Sequence, residues 1–141
     1  MRTVNPTSSV GLEQFHFAGA DSFDMKKFRS IFKLNPSEIS TYLKFPRQQV
    51  RILMDVECYK PRRGDHIAIL REFQKVLTVF LLLLKPDVKR ERNKLINIIS
   101  TWFKAPNPAL PDFKSPIDLL AEGKGKIVLD VLNDELHSTY S

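Results

Sequence analysis

W-F-K-A-P-N-P-A-L-P-D-F-K-S-P-I-D-L-L-A-E-G-K-G-K-I-V-L-D-V-L, running from Trp102 to Leu132, is the stretch that decides the fold. A large aromatic closes one apolar helix, and a rigid Pro-rich loop, Ala105 to Lys114, follows with Asn107-Pro108 inside it. Ser115 then offers an oxygen to the unpaired N–H groups of a new helix, and the fixed φ of Pro116 suits the first helical position. Asp118 sets a carboxylate at the positive helix end. Gly123 suits the left-handed conformation that stops a helix, so another is expected over Lys124 to Leu132. Trp102, Leu119 and Leu120 are read as core, and the Asn107-Pro108 loop and Gly123 as architecture.

Upstream the same helical periodicity continues. Helical patterning starts near Ser22, a candidate cap, and brings Met25, Phe28 and Phe32 to one face. Asn35-Pro36-Ser37-Glu38 reads as a helix start in which Asn caps, Pro takes the first position and Glu reaches back. Ile39, Tyr42 and Leu43 form its apolar stripe. Phe45-Pro46 interrupts, and a short helix from about Arg47 turns Val50, Leu53 and Met54 inward. Lys60 to Gly64 is a basic loop. A long helix from about Asp65 to Leu84 buries Leu70, Phe73, Leu77, Phe80, Leu81 and Leu84, and Lys85-Pro86-Asp87 ends it. The next runs to about Phe103 with Leu95, Ile98, Ile99 and Trp102 on one face. No alternating strand pattern or repeat intervenes. The predicted fold class is all-α: a helix-turn-helix N-terminal half joined to a helical C-terminal module.

A chain of 141 residues, 43% of them hydrophobic, holds one compact domain or two helical halves sharing a core. The expected divisions are a flexible arm over 1–21, a helix-turn-helix region over 22–64 and a helical module over 65–141. Met1 to Gln14 is polar and has no signal core. The apolar run Val76 to Leu84 falls well short of the ~20 residues that span a bilayer, so no membrane association is expected. The single cysteine, Cys58, leaves no internal disulfide and no Cys pair for zinc, and points to a reducing, cytoplasmic setting. His16, His66 and His137 are scattered without metal spacing, and no phosphate loop or nucleophile elbow is present. Asp65-His66 reads as a helix cap with a surface imidazole. Neither catalysis, a metal nor a cofactor is expected.

Charge is uneven along the chain. Within a net +6, ten basic residues between Lys26 and Arg63 face three acids, whereas from Ala105 onward three lysines face six acids. A basic half and an acidic tail fit two partners, one of them polyanionic; an uneven solvated surface has the same pattern. The basic cluster coincides with the Ile39 to Leu53 segment, which has the layout of a helix-turn-helix with its turn at Lys44-Phe45-Pro46. Arg47, Gln48, Gln49 and Arg51 then lie where a recognition helix meets the major groove. Glutamine pairs with adenine and arginine with guanine, while Lys44, Lys60, Arg62 and Arg63 suit phosphates. A plain helical hairpin with solvated cations fits the same residues.

The ordered set of Trp102, Asn107-Pro108, Pro116 opening a short helix, Leu119-Leu120, Gly123 and a following apolar helix resembles the toxin-binding domain of Xre/MbcA/ParS-type antitoxins. The resemblance is strongest from Trp102 onward and weaker from about Leu34, where Ile39 to Leu53 is similar to the Xre-like helix-turn-helix of that family. Two departures are the Phe45-Pro46 turn, where many such motifs carry a small residue, and a tail without glycine after Gly125. The resemblance implies an antitoxin of a type II toxin–antitoxin system. Such a protein binds a cognate toxin, often a RES-class enzyme that degrades NAD, and autoregulates its operon on operator DNA. It also implies a homodimer with half-sites about 34 Å apart, and a C-terminus laid over the toxin's active-site opening. Asp134, Glu135, His137, Ser138 and Tyr140 are the residues placed to do so here; a frayed end without a role is the other reading. The alternative function is a stand-alone helix-turn-helix regulator or protein-binding adaptor without a toxin partner.

Overall fold

A computed structural model describes residues 12–62, 64–84 and 91–140, with the side chains of 13–62, 64–84 and 91–134. The described residues form α1 (Met25–Phe32), α2 (Pro36–Leu43), α3 (Arg47–Leu53), α4 (Gly64–Leu83), α5 (Arg92–Lys104), α6 (Pro116–Ala121) and α7 (Gly125–Tyr140). Short 3-10 turns occur at Leu12–Phe15 and Pro111–Phe113. Extended pairing among them is confined to isolated bridges from Phe23 to Ala18 and to Tyr59. The fold is all-α, as the periodicity predicts. No helix among the described residues is long and apolar enough to cross a membrane.

Local chemistry sets the helix starts. In α2 the Asn35 Oδ1 accepts the Glu38 N–H at 2.8 Å, while the Asn35 N–H donates to Glu38 Oε1 at 3.0 Å. Ser115 and Asp118 repeat this reciprocal cap at α6, at 3.2 and 3.3 Å. Gly123 closes α6 at φ 80°, where a Cβ would be strained. For α1 the cap is Asp24 rather than Ser22: its carboxylate accepts the Lys27 N–H at 2.9 Å.

The long helix α4 is the spine, with α7 and α6 packed against it, α1 packed on α5, and α2 held between α3 and α6. Phenylalanine rings tie these layers together. Phe28 and Phe32 of α1 meet Phe73 of α4 with centroids 5.2 and 5.5 Å apart. Phe32 also meets Phe103 of α5 at 5.2 Å, and Phe103 meets Phe80 at 5.3 Å. One continuous core runs from Phe15 to Leu132, so residues 22–64 and 65–141 share it. Where α7 begins, the chain passes so close to α4 that a Cβ on Gly125 would overlap the Glu72 side chain.

Three expectations are corrected by this packing. The described part of the expected N-terminal arm, 12–21, is bound to the body: Phe15 and Phe17 are 1% and 2% exposed. Their backbone is satisfied by the buried Gln74, whose Oε1 accepts the N–H groups of Phe17 and Ala18 at 2.7 and 3.2 Å. Its Nε2 donates to the Phe15 carbonyl at 3.3 Å. Trp102 is only partly buried, because α5 turns Leu95, Ile96, Ile99 and Phe103 to the core and leaves Ile98 and Trp102 at its edge. His66 is not a surface imidazole: it is buried edge-on to Phe45 with ring centroids 4.4 Å apart.

Candidate functional site

The cations of the basic half divide into those the fold uses and those it does not. Arg29 donates through Nε to the Met54 carbonyl at 2.9 Å and through Nη2 to Asp55 at 2.7 Å, tying α1 to the end of α3. That guanidinium holds the Asp55 carboxyl below its ordinary range. Lys27 donates to the carbonyls of Glu13 and His16 at 3.3 and 3.2 Å, and Lys33 to Asn97 Oδ1. Lys26 faces Glu57 at 3.9 Å. By contrast Lys44, Arg51, Lys60 and Arg62 are exposed, and no ion pair among the described residues neutralises them. Arg47 is exposed and donates to Ser37 Oγ at 3.0 Å. Arg63 lies outside the described residues.

The turn that presents these residues is explained by two side chains. Lys44 closes α2 with φ 58°, the left-handed position where glycine is the usual choice. Phe45 then dives into the core, 3% exposed, and the Ser40 hydroxyl donates to its carbonyl at 2.6 Å. Pro46 starts α3 in extended geometry without a side-chain cap. Phe45 thus fixes α3 from below, which a glycine turn would not do.

Tyr59 completes the site and was not singled out by its sequence. Its backbone exchanges hydrogen bonds with Phe23, 2.8 Å in each direction, and its ring stands edge-on to Phe45 with centroids 6.0 Å apart. Burial pushes its phenol above the ordinary tyrosine pKa. Together with Lys44, Phe45, Pro46, Gln49, Lys60, Arg62 and His66 it lines a hollow of about 410 Å3. Lys44, Gln49, Lys60 and Arg62, nominated from sequence, therefore meet around one concavity. Exposed Gln48 and Arg51 lie on α3 outside that lining, as does Arg47, and Ile52 beside them is 73% exposed. The one sequence signal for the hollow is an aromatic immediately before Lys60.

At the other end, Asn107 organises the Pro-rich loop: its N–H donates to the Lys114 carbonyl at 3.1 Å, and its Oδ1 accepts the Ala109 N–H at 2.9 Å. Lys114 pairs with Glu122 at 2.5 Å, and Lys124 with the same carboxylate at 3.3 Å. Lys114 first, then Lys124, keeps the Glu122 pKa below the usual value, and Glu122 raises that of Lys114. Asp112 and Phe113 both take positive φ, 57° and 55°, and Phe113 stands 67% exposed. A largely apolar cleft of about 620 Å3 opens beside this loop, lined by Phe80, Leu84, Ile98, Trp102 and Pro106 among others. Of the tail residues, Asp134 is exposed on α7; the side chains of Glu135, His137, Ser138 and Tyr140 lie outside the described residues.

No group of three or more His, Cys, Asp and Glu side chains placed to hold a metal occurs among the described residues. Comparison of the chain with protein-family models, curated proteins and solved structures gave no match.

Proposed function

We propose that the chain is the antitoxin of a type II toxin–antitoxin pair. It binds operator DNA through α3 and the adjoining Lys60–Arg62 loop, and it neutralises a cognate toxin through the module from Trp102 onward. The observation that carries the DNA-binding half is the division of the cations: those on α1 are consumed by the fold, whereas Lys44, Lys60 and Arg62 gather beside α3 with no ion pair among the described residues. Such a cluster attracts phosphates, and the neighbouring Gln48 and Gln49 amides have the donor–acceptor pair that reads adenine. Support for the toxin-binding half is the ordered motif set of the module and its resemblance to antitoxins. The Asn107 turn, the Ser115–Asp118 cap and the Gly123 stop hold α6 and α7 as one presentable unit.

The experiment titrates the protein onto a duplex carrying its own upstream region and onto random duplex at several salt concentrations. Replacing Gln48 and Gln49 by Ala is expected to cost about 1–3 kcal/mol per lost base pairing on the specific site and little on random DNA. Lys60→Ala and Arg62→Ala instead weaken both duplexes and flatten the salt dependence. Absence of any salt-dependent binding would remove the DNA-binding half. Co-expression with the product of the adjacent reading frame tests the other half. Failure to relieve its toxicity, or a harmless neighbour, leaves the stand-alone regulator or adaptor.

A further inference from the structure

The hollow beside α3 is lined more variously than contact with a duplex requires. Phosphates on a groove rim need cations on a surface, whereas Lys44, Lys60 and Arg62 stand here around a concavity of about 410 Å3. Tyr59, Phe45 and Gln49 also line it, and no carboxylate among the described residues does. Concavities of roughly 300–1,000 Å3 with apolar walls and a few convergent polar groups are the usual form of small-ligand sites. Inorganic phosphate would engage the cations and leave the aromatic wall unused. Tyr59, half-buried and bridged through its backbone to Phe23, offers a ring against which an aromatic base can lie. Half-buried Gln49 offers the amide pair that matches adenine.

We propose that this hollow binds a free nucleoside phosphate, its phosphate held by Lys44, Lys60 and Arg62 and its base set against Tyr59 within reach of Gln49. The inference deepens the DNA-binding reading, because the ligand takes four groups assigned there to the duplex. Nucleotide and operator then exclude one another, and by linkage each weakens the other by the same factor. The chain would release its operator as the nucleotide accumulates.

The test is calorimetric titration of the full chain at low salt with AMP, adenosine and inorganic phosphate as separate probes. AMP is expected to bind one to one, about tenfold or more tighter than either fragment. Lys60→Ala and Arg62→Ala, both at exposed positions, lower AMP affinity several-fold. Tyr59→Leu lowers AMP affinity and leaves that for phosphate unchanged; should this variant not fold, Gln49→Ala takes its place. Lys126→Ala, which removes an exposed cation in the C-terminal module, changes neither. Equal affinity for AMP and phosphate, no binding, or equal losses in Lys126→Ala and Arg62→Ala would overturn the proposal. So would a 5′-phosphorylated dA strand that binds more tightly than AMP with the same dependence on Lys60 and Tyr59, since the ligand would then be a strand end. The calorimetry needs no DNA, so it stands if the chain binds no duplex. If a duplex binds and AMP does not displace it, the shared site is refuted.

Discussion

Phe103 is enclosed by rings from three directions: Phe32 and Trp102 stand edge-on at centroid distances of 5.2 and 5.0 Å, and Phe80 is tilted against it at 5.3 Å. It is fully buried, whereas Trp102 only flanks the cleft beside the Pro-rich loop. Truncating Phe103 to Ala therefore removes a ring from a site that cannot collapse, and should destabilise by about 3–5 kcal/mol. Trp102→Ala should cost clearly less despite its larger side chain. Urea denaturation of the two variants measures the difference, and a larger loss for Trp102 would contradict the orientation of α5. Periodicity alone does not separate these neighbours. A helix stripe through Leu95 and Ile99 continues equally to either position, seven or eight residues beyond Leu95. The choice is made by rings on α1 and α4, far away in the sequence.

Elements whose ends are written in local chemistry were legible, and those held by distant partners were not. Asn35-Pro36-Ser37-Glu38 and Ser115-Pro116-Ile117-Asp118 contain both halves of their reciprocal caps, so α2 and α6 could be placed from a few residues. The segment 12–21 has no such signal. It reads as an arm because Phe15 and Phe17 have no periodic companions, and its partner, Gln74, lies mid-way along α4. The hollow beside α3 was half legible for the same reason. Lys44, Gln49, Lys60 and Arg62 were recognisable by type, but the wall they share depends on Tyr59, fixed by pairing with Phe23 across the chain. Gln74 gives this scale its prediction. Gln74→Leu keeps the volume but leaves the Phe17 and Ala18 N–H groups and the Phe15 carbonyl without their partner. The cost should be about 1–3 kcal/mol for each buried group left unsatisfied. Amide hydrogen exchange should show Phe17 and Ala18 losing protection before the amides of α4 do. Unchanged protection at those two positions would mean that packing of Phe15 and Phe17 alone fastens the segment.

At the scale of the molecule, the sequence allows one domain or two helical halves sharing a core, and phenylalanines cross the expected boundary near 64–65. Phe17, Phe28 and Phe32 precede it; Phe73, Phe80 and Phe103 follow it; and their rings form one connected set. Lys33 and Lys104 add polar ties between early and late elements: Lys33 donates to Asn97, and Lys104 pairs with Glu38 at 3.3 Å and also donates to the Lys33 carbonyl, bringing the end of α5 to the α1–α2 junction. Neither half can bury its own apolar face without the other, so the chain should unfold in a single step. Two probes report on it separately. Trp102 is the only tryptophan and lies after the boundary; Cys58 is the only cysteine, is exposed, and accepts a fluorophore before the boundary. In urea, Trp102 fluorescence and the label at Cys58 should give coincident midpoints and slopes, matching the loss of far-ultraviolet circular dichroism. Phe32→Ala should move both curves together, because that ring touches Phe73 and Phe103 at once. Two separated transitions, or a shift at Cys58 without one at Trp102, would show that the halves are independent and that the shared rings are a contact surface between them.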